Sequence, residues 1–99
     1  MDQKEVIKIA EKYKDLLSQF LEFQKMYLFG SWATGTSRID SDIDIAVIVE
    51  DAGENFFDVN PLLWKIRRQI DDRIEPVLIE KDRDRAGFLD TIRENGIEI

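Results

Sequence analysis

The feature that constrains the fold most is a nearly continuous apolar run, IDIAVIV, at residues 43 to 49. Its length and its content of β-branched residues favour a strand that is buried on both faces of a sheet. Two carboxylates, Asp42 and Asp44, stand at its beginning. Because burying an unpaired charge is costly, we expect a cation to compensate them.

The composition limits the chemistry. A chain of 99 residues with 43% apolar and 35% charged residues fits one soluble domain, residues 1–99, with a single core. No apolar run is long enough to span a bilayer and no segment resembles a signal peptide, so a cytoplasmic protein is expected. The net charge of −7 argues against general nucleic-acid binding. Without cysteine or histidine, the chemistry is restricted to carboxylates and hydroxyls.

Apolar periodicity predicts the first half of the fold. An amphipathic helix carries one apolar stripe, with Asp2 as its N-cap and Glu5 three residues on; the stripe consists of Val6, Ile9, Ala10, Tyr13, Leu16, Leu17, Phe20 and Leu21. A short strand follows at residues 26–29 and stops at Gly30. Residues 30–41 have the composition of a loop with room for one short helix, and the second strand runs from near Asp42 to Glu50.

The second half is predicted to alternate helices and strands. Residues 51–60 form a loop, Asn60 caps a helix with Pro61 at its first position, and that helix ends near Asp72. A third strand covers residues 73–80, where Pro76 indicates a sheet edge or a strand start. A last helix at residues 86–94 stops at Asn95-Gly96, and residues 97–99 add a final strand. This order predicts an α/β or α+β domain, with a small mixed sheet flanked by helices.

Basic residues form two loose clusters, one at Lys65, Arg67 and Arg68 and the other at Lys81, Arg83 and Arg85. Acidic residues are interleaved with both clusters. We therefore expect solvated surfaces here in preference to a phosphate-binding patch.

Asp42 and Asp44 suggest a metal site. Side chains two residues apart on a strand share one face, which places the two β-carbons about 6–7 Å apart. Ligands that offer only oxygen favour Mg²⁺ or Mn²⁺, and Mg²⁺ is commonly completed by substrate phosphates. A calcium loop starting at Asp40 is rejected, because its sixth position holds Ile45 where glycine is required. Asp40 is expected to be a turn residue.

The pair Gly30-Ser31 follows a strand and offers a phosphate-binding element. Gly30 lets the main chain come close to an anion, and backbone N–H groups and the Ser31 hydroxyl can donate to it. On its own this pair is more often a plain turn. Its occurrence together with the two aspartates favours the nucleotide interpretation. Trp32 is expected to pack beneath the loop, with contact to a base or a partner as the alternative.

Gly30-Ser31, ten further residues and Asp42-Ile43-Asp44 together resemble the G-S-x10-D-x-D motif of the DNA polymerase β-like nucleotidyltransferase superfamily. The small size and the tail at residues 88–99 resemble its minimal nucleotidyltransferase (MNT, MntA-like) members. The resemblance implies a third carboxylate on a neighbouring strand, which Glu75 matches, with Glu80 and Asp82 as alternatives. Thr34 occupies a position where many members carry arginine, so one triphosphate contact of the family is missing.

This resemblance implies a Mg²⁺-dependent transferase that moves a nucleoside monophosphate, most often AMP from ATP, to a hydroxyl. Asp42, Asp44 and Glu75 would hold two Mg²⁺ or Mn²⁺ ions. Gly30 and Ser31 would bind the nucleotide. Minimal members resemble antitoxins that adenylylate a tyrosine of an all-helical HEPN-type partner. The rival interpretation is a non-catalytic binding antitoxin with a vestigial site. Transfer to a nucleic acid or a small molecule is disfavoured by the acidic charge and the small size.

The small size also predicts a protein partner that supplies the surface for recognising the acceptor. Exposed aromatic residues are expected to contact it, namely Phe56, Phe57 and Trp64. The alternative for Trp64 is a place in the core. The oligomeric state stays open, and a homo-oligomer is compatible with the sequence.

Overall fold

The computed structural model describes residues 2–50, 56–84 and 87–99 of the chain. Within these residues, four helices and four strands alternate in the order α1 (Gln3–Leu17), β1 (Lys25–Phe29), α2 (Ser31–Thr34), β2 (Ile43–Val49), α3 (Phe56–Arg67), β3 (Ile74–Glu80), α4 (Phe88–Asn95) and β4 (Ile97–Glu98). A 3-10 turn, Lys81–Arg83, follows β3. Of the predicted features, the loop at residues 51–55, Arg85, the helix start at Ala86 and the side chains of Phe56 and Phe57 lie outside the described residues.

The four strands form one mixed sheet in the order β3-β2-β1-β4. β2 runs parallel to β3 and antiparallel to β1, and β1 is also antiparallel to β4. The predicted fold class, a small mixed sheet flanked by helices, is confirmed. β3 lies at an edge, where the missing N–H of Pro76 does not interrupt the sheet, as predicted.

The apolar run places β2 in the middle of the sheet and divides the core between its two faces. Ile43, Ile45 and Val47 point to the face covered by α1 and α3. Ala46 and Ile48 point to the other face, where Leu89 and Ile92 of α4 cover them. Because α4 is short, its buried residues cover only part of that second face.

α1 begins as predicted, since the Asp2 carboxylate accepts a hydrogen bond from the Glu5 N–H at 2.9 Å. The buried residues of its stripe run from Val6 to Leu17, where the helix ends. The prediction that Phe20 continues the stripe is wrong. Phe20 lies in a turn past the helix end, and its side chain is 57% exposed.

The predicted start of α3 is also wrong. The helix includes Phe56 as its first residue, so Asn60 is not its cap and Pro61 lies inside it. Proline removes one helical hydrogen bond, but the burial of Leu63 and Ile66 stabilises the helix across this point. α3 ends at Arg67, earlier than the predicted Asp72.

The C-terminal segment agrees with its prediction. The Gly96 N–H donates to the Ile92 carbonyl at 2.7 Å and ends α4. Residues 97–98 then pair with β1 as the predicted final strand. Among the helices of the described residues, none combines the length and the apolar character needed to cross a bilayer.

Candidate active site

Three carboxylates share one face of the sheet near the beginning of β2 and β3. Asp44 is the register partner of Glu75 on β3 and of Phe29 on β1. Register partners lie side by side on one face, and Asp42, two residues before Asp44, is placed on the same face. Asp42 and Glu75 are exposed and Asp44 is half-buried. The structure therefore brings together the three predicted acids.

The two alternatives for the third carboxylate lie elsewhere. Glu80 is paired in register with Val49 at the opposite end of the parallel strands. Asp82 follows in the 3-10 turn, where its N–H donates to the Glu50 carbonyl at 3.4 Å. Only Glu75 of these three candidates is next to Asp44.

The Gly30-Ser31 pair lies next to Asp44 because β1 runs antiparallel to β2 and ends beside this residue. Gly30 has φ of 71° and ψ of −151°, a region that is essentially restricted to glycine. A side chain at this position would overlap the Asp44 Oδ2 atom, and its Cβ would lie 3.2 Å from the Asp44 Cγ. The main chain of the loop thus packs directly on this carboxylate. Ser31, the first residue of α2, is half-buried.

The structure also shows the environment of three further loop residues. The Thr34 hydroxyl donates to the Gly30 carbonyl at 3.2 Å and lies 3.1 Å from the Thr36 hydroxyl. Thr34 therefore stabilises the loop internally, where the resemblance expects an arginine for phosphate. Asp40 is an exposed turn residue, as predicted. Trp32 is buried and 5% exposed, which confirms packing beneath the loop.

Two of the acids, Asp44 and Glu75, have a raised pKa. Burial raises the pKa of Asp44 above its usual range, and the charge of Asp42 raises it further. Burial also raises the pKa of Glu75, as do the charges of Asp42 and Asp44 and a hydrogen bond with Asp42, while Arg67 opposes the shift. Both shifts mean that the ionised cluster is under mutual repulsion.

The donor set fits hard divalent cations such as Mg²⁺ or Mn²⁺, because it offers only oxygen and repulsion that a cation would relieve. Within the described residues, no three acidic side chains already converge on one position that could hold a metal ion. Asp42 and Glu75 are exposed, so each is free to change rotamer on binding. The residues present therefore fit a metal as ligands that would converge when it binds.

Arg67 is the residue near the acids that the sequence interpretation missed. It was assigned to a solvated cluster, yet its guanidinium is half-buried and donates to the carbonyls of Asp72 and Ile74. Its Nε is buried and has no hydrogen-bond partner within the described residues. The available signal was its place on the apolar stripe of α3, next to Leu63 and Ile66. Lys65 and Arg68 are exposed, as predicted.

Replacing both Asp42 and Asp44 by asparagine should leave the metal-free protein at least as stable as the wild type at pH 7. The folded-state pKa of Asp44 is raised, so its stabilising contribution is present at low pH and is lost as the pH rises through that value. The gain from the double variant should therefore shrink as the pH falls through the raised pKa of Asp44 and be lost below the ordinary pKa of an aspartate. Thermal unfolding in EDTA across this range measures the effect. Strong destabilisation at pH 7 would mean that the carboxylates are structural.

Sequence comparison assigns the chain to a protein family. Residues 11–99 match the family described as Polymerase beta, Nucleotidyltransferase. The chain belongs to this family, and the resemblance drawn from Gly30-Ser31 and the two aspartates is confirmed. A candidate protein adenylyltransferase of Methanocaldococcus jannaschii is 24% identical over 99 residues, which covers 96% of this chain and 99% of that protein.

Solved structures share the fold. A candidate nucleotidyltransferase from Sulfolobus solfataricus superposes with a TM-score of 0.70 at 23% identity, covering 97% of this chain and 80% of its own. A toxin–antitoxin structure with AMP-PNP superposes with a TM-score of 0.61 at 26% identity, covering 99% of this chain and 72% of that chain. A mutant of the toxin–antitoxin MntA-HpeT superposes with a TM-score of 0.56 at 21% identity, also covering 99% of this chain and 72% of that chain.

Proposed function

We propose that this protein is a metal-dependent nucleotidyltransferase that moves AMP from ATP to a hydroxyl of a partner protein, as the antitoxin of a toxin–antitoxin pair. The observation that carries the proposal is the placement of Asp42, Asp44 and Glu75 on one sheet face, with the Gly30-Ser31 loop packed against Asp44. Membership of the nucleotidyltransferase family supports this interpretation of the site.

Each residue has a distinct role in the proposed reaction. Gly30 allows the main chain to approach the triphosphate, and the Ser31 hydroxyl donates to a phosphate oxygen. Asp42, Asp44 and Glu75 would hold two Mg²⁺ ions, which when bound would neutralise charge on the phosphates and polarise the acceptor oxygen. Glu75, on the edge strand, accepts the proton of the acceptor hydroxyl.

Atoms and charges balance in a single displacement. The acceptor oxygen forms a bond to the α-phosphorus, and the bond from that phosphorus to the bridging oxygen of the β-phosphate breaks in line. Pyrophosphate leaves, and the acceptor proton passes to Glu75. The product is the AMP ester of the acceptor hydroxyl.

The comparisons favour a protein as acceptor. The relative from Methanocaldococcus jannaschii is named as a candidate protein adenylyltransferase, and the toxin–antitoxin structure at 26% identity contains AMP-PNP. We assign the acceptor to a tyrosine of an all-helical HEPN-type partner. A tyrosine hydroxyl suits a carboxylate base because its pKa, about 10, is lower than that of an aliphatic hydroxyl.

We assign the surface that contacts such a partner to α3. The Trp64 side chain is 37% exposed, so the alternative that it belongs to the core is not supported. The Arg67 guanidinium lies 4.7 Å from the centre of its ring and orients it. Exposed tryptophan is enriched at the centre of protein interfaces. A stable complex should bury at least about 1,000 Å² in total.

ATP should bind much more tightly in the presence of Mg²⁺ than in EDTA. The acids repel each other, and they would also repel a triphosphate unless a cation lies between them. Isothermal titration calorimetry of the free protein with a non-hydrolysable ATP analogue measures both affinities. Asp42→Asn with Asp44→Asn should remove the difference between the two conditions. Equal affinity of the wild type with Mg²⁺ and with EDTA would contradict the proposed function.

A further inference from the structure

Trp32 connects the two halves of the proposed site. Its indole Nε1–H donates to the Ser41 carbonyl at 3.2 Å. Trp32 directly follows Ser31, the proposed phosphate donor, and Ser41 directly precedes Asp42, the proposed metal ligand. A single, partly buried hydrogen bond therefore joins the residue next to each of these two groups, across nine positions of the chain.

Both ends of this connection are anchored. The Trp32 carbonyl accepts a hydrogen bond from the Gln3 side-chain amide at 2.8 Å, which ties α2 to the beginning of α1. Ser41 is held in its turn by Arg38, whose N–H donates to the Ser41 hydroxyl at 2.7 Å and whose carbonyl accepts from the Ser41 N–H at 3.0 Å. The indole itself is buried among the core residues beneath the loop. Because both the Trp32 main chain and Ser41 are held in this way, the indole has little freedom to rotate or to move away from Ser41.

We propose that Trp32 is a positioning residue that fixes the Gly30-Ser31 loop relative to Asp42, so that phosphate and metal can be bound together. This inference rests on the proposed function. Asp44 lies in β2 and Asp42 directly precedes this strand, whereas Ser31 lies in a helix of only four residues. Without the indole bond, the loop would sample positions in which the Ser31 hydroxyl misses the phosphate. Small displacements of this kind lower affinity and rate without unfolding the protein.

Trp32→Phe tests the inference, since it keeps an aromatic ring in the core and removes the N–H donor. The dissociation constant for a non-hydrolysable ATP analogue with Mg²⁺ should rise by about five- to tenfold, the effect of losing roughly one hydrogen bond. Mn²⁺ binding without nucleotide, measured by electron paramagnetic resonance, should stay within about twofold. General destabilisation alone would not separate these two affinities.

Tyr13→Phe is the matched control. The Tyr13 hydroxyl is buried and donates to the Leu63 carbonyl at 2.9 Å, so this variant also loses one buried donor from an aromatic side chain. This hydrogen bond joins α1 to α3 and has no partner in the loop. Its affinity for the Mg²⁺ complex of the analogue should stay within about twofold of the wild type. An equal loss of affinity in Tyr13→Phe and Trp32→Phe would overturn the inference.

Hydrogen exchange provides a measurement that does not depend on nucleotide. The N–H groups of Ala33 and Thr34 donate to the Gly30 carbonyl at 3.1 and 3.2 Å and report on the order of the loop. Their exchange should be faster in Trp32→Phe but not in Tyr13→Phe. Gln3→Ala, at an exposed position, should have a smaller effect in the same direction and replaces Trp32→Phe if that variant does not fold.

The outcomes separate the two proposals. Failure of the wild type to bind the analogue with Mg²⁺ overturns the proposed function. Unchanged exchange at Ala33 and Thr34 in the variants overturns the positioning role of Trp32, whether or not nucleotide binds. Faster exchange together with a selective loss of nucleotide affinity supports it.

Discussion

Replacing Asp44 by alanine should abolish AMP transfer to the partner protein while leaving their complex intact. In the proposed reaction Asp44 binds metal at the centre of the row formed with Asp42 and Glu75. A metal ion supplies several kcal/mol of stabilisation to the transition state, and each 1.4 kcal/mol is a factor of ten in rate. We therefore expect a loss of at least about 1,000-fold. Mass spectrometry of the partner, incubated with ATP, Mg²⁺ and each variant, counts the AMP units added.

Asp40→Ala is the matched control for this experiment. Asp40 is an exposed aspartate that precedes the row by two residues and belongs to a turn, so its removal should leave transfer unchanged. Glu75→Ala should be severely slowed, because it loses both a metal ligand and the proposed proton acceptor. If Asp44→Ala still protects cells from the partner as well as the wild type does, and no modified partner is found, the binding-antitoxin interpretation is correct.

The acids illustrate which parts of the site the sequence can predict. Asp42 and Asp44 share a face because side chains alternate along any strand, so their spacing alone placed them together. The alternation along one strand does not predict the position of Glu75. Its place beside Asp44 depends on how β3 pairs with β2, and strand register is a tertiary property. The family resemblance supplied that pairing where local rules did not. The structure then separated Glu75 from Glu80 by five residues along the paired strands.

The features that the sequence did not predict also depend on tertiary contacts. Local signals predicted a helix start at Asn60-Pro61, and the core contacts of Leu63 and Ile66 sustained a longer helix through the proline. The half-buried guanidinium of Arg67 and the bond between Trp32 and Ser41 both join segments that are separated in the sequence. Propensity and periodicity describe neighbours along one element, so they could place Arg67 on the apolar face of α3 but could not identify the carbonyls that Arg67 and Trp32 contact.

Gly30→Ala should inactivate the protein, whereas Gly35→Ala should be far less damaging. Both glycines have positive φ, 71° and 80°, so alanine is strained at each of them, at a cost of about 1–2 kcal/mol in the left-handed region. Gly30 differs in two respects. Its backbone lies in a region that is essentially restricted to glycine, and its new Cβ would overlap the Asp44 carboxylate, while nothing lies within 4 Å at Gly35.

The carboxylate can rotate away from such a Cβ at modest cost to stability, but it then leaves the row of acids. Gly30→Ala should therefore lose nucleotide affinity in Mg²⁺ and AMP transfer more completely than its change in unfolding free energy explains. Urea unfolding and calorimetry on both variants separate the two effects. In an Asp44→Ala background the overlap disappears, so the cost of Gly30→Ala to stability should fall toward the backbone strain alone. If the cost is the same in both backgrounds, the contact between Gly30 and Asp44 does not control the position of the carboxylate.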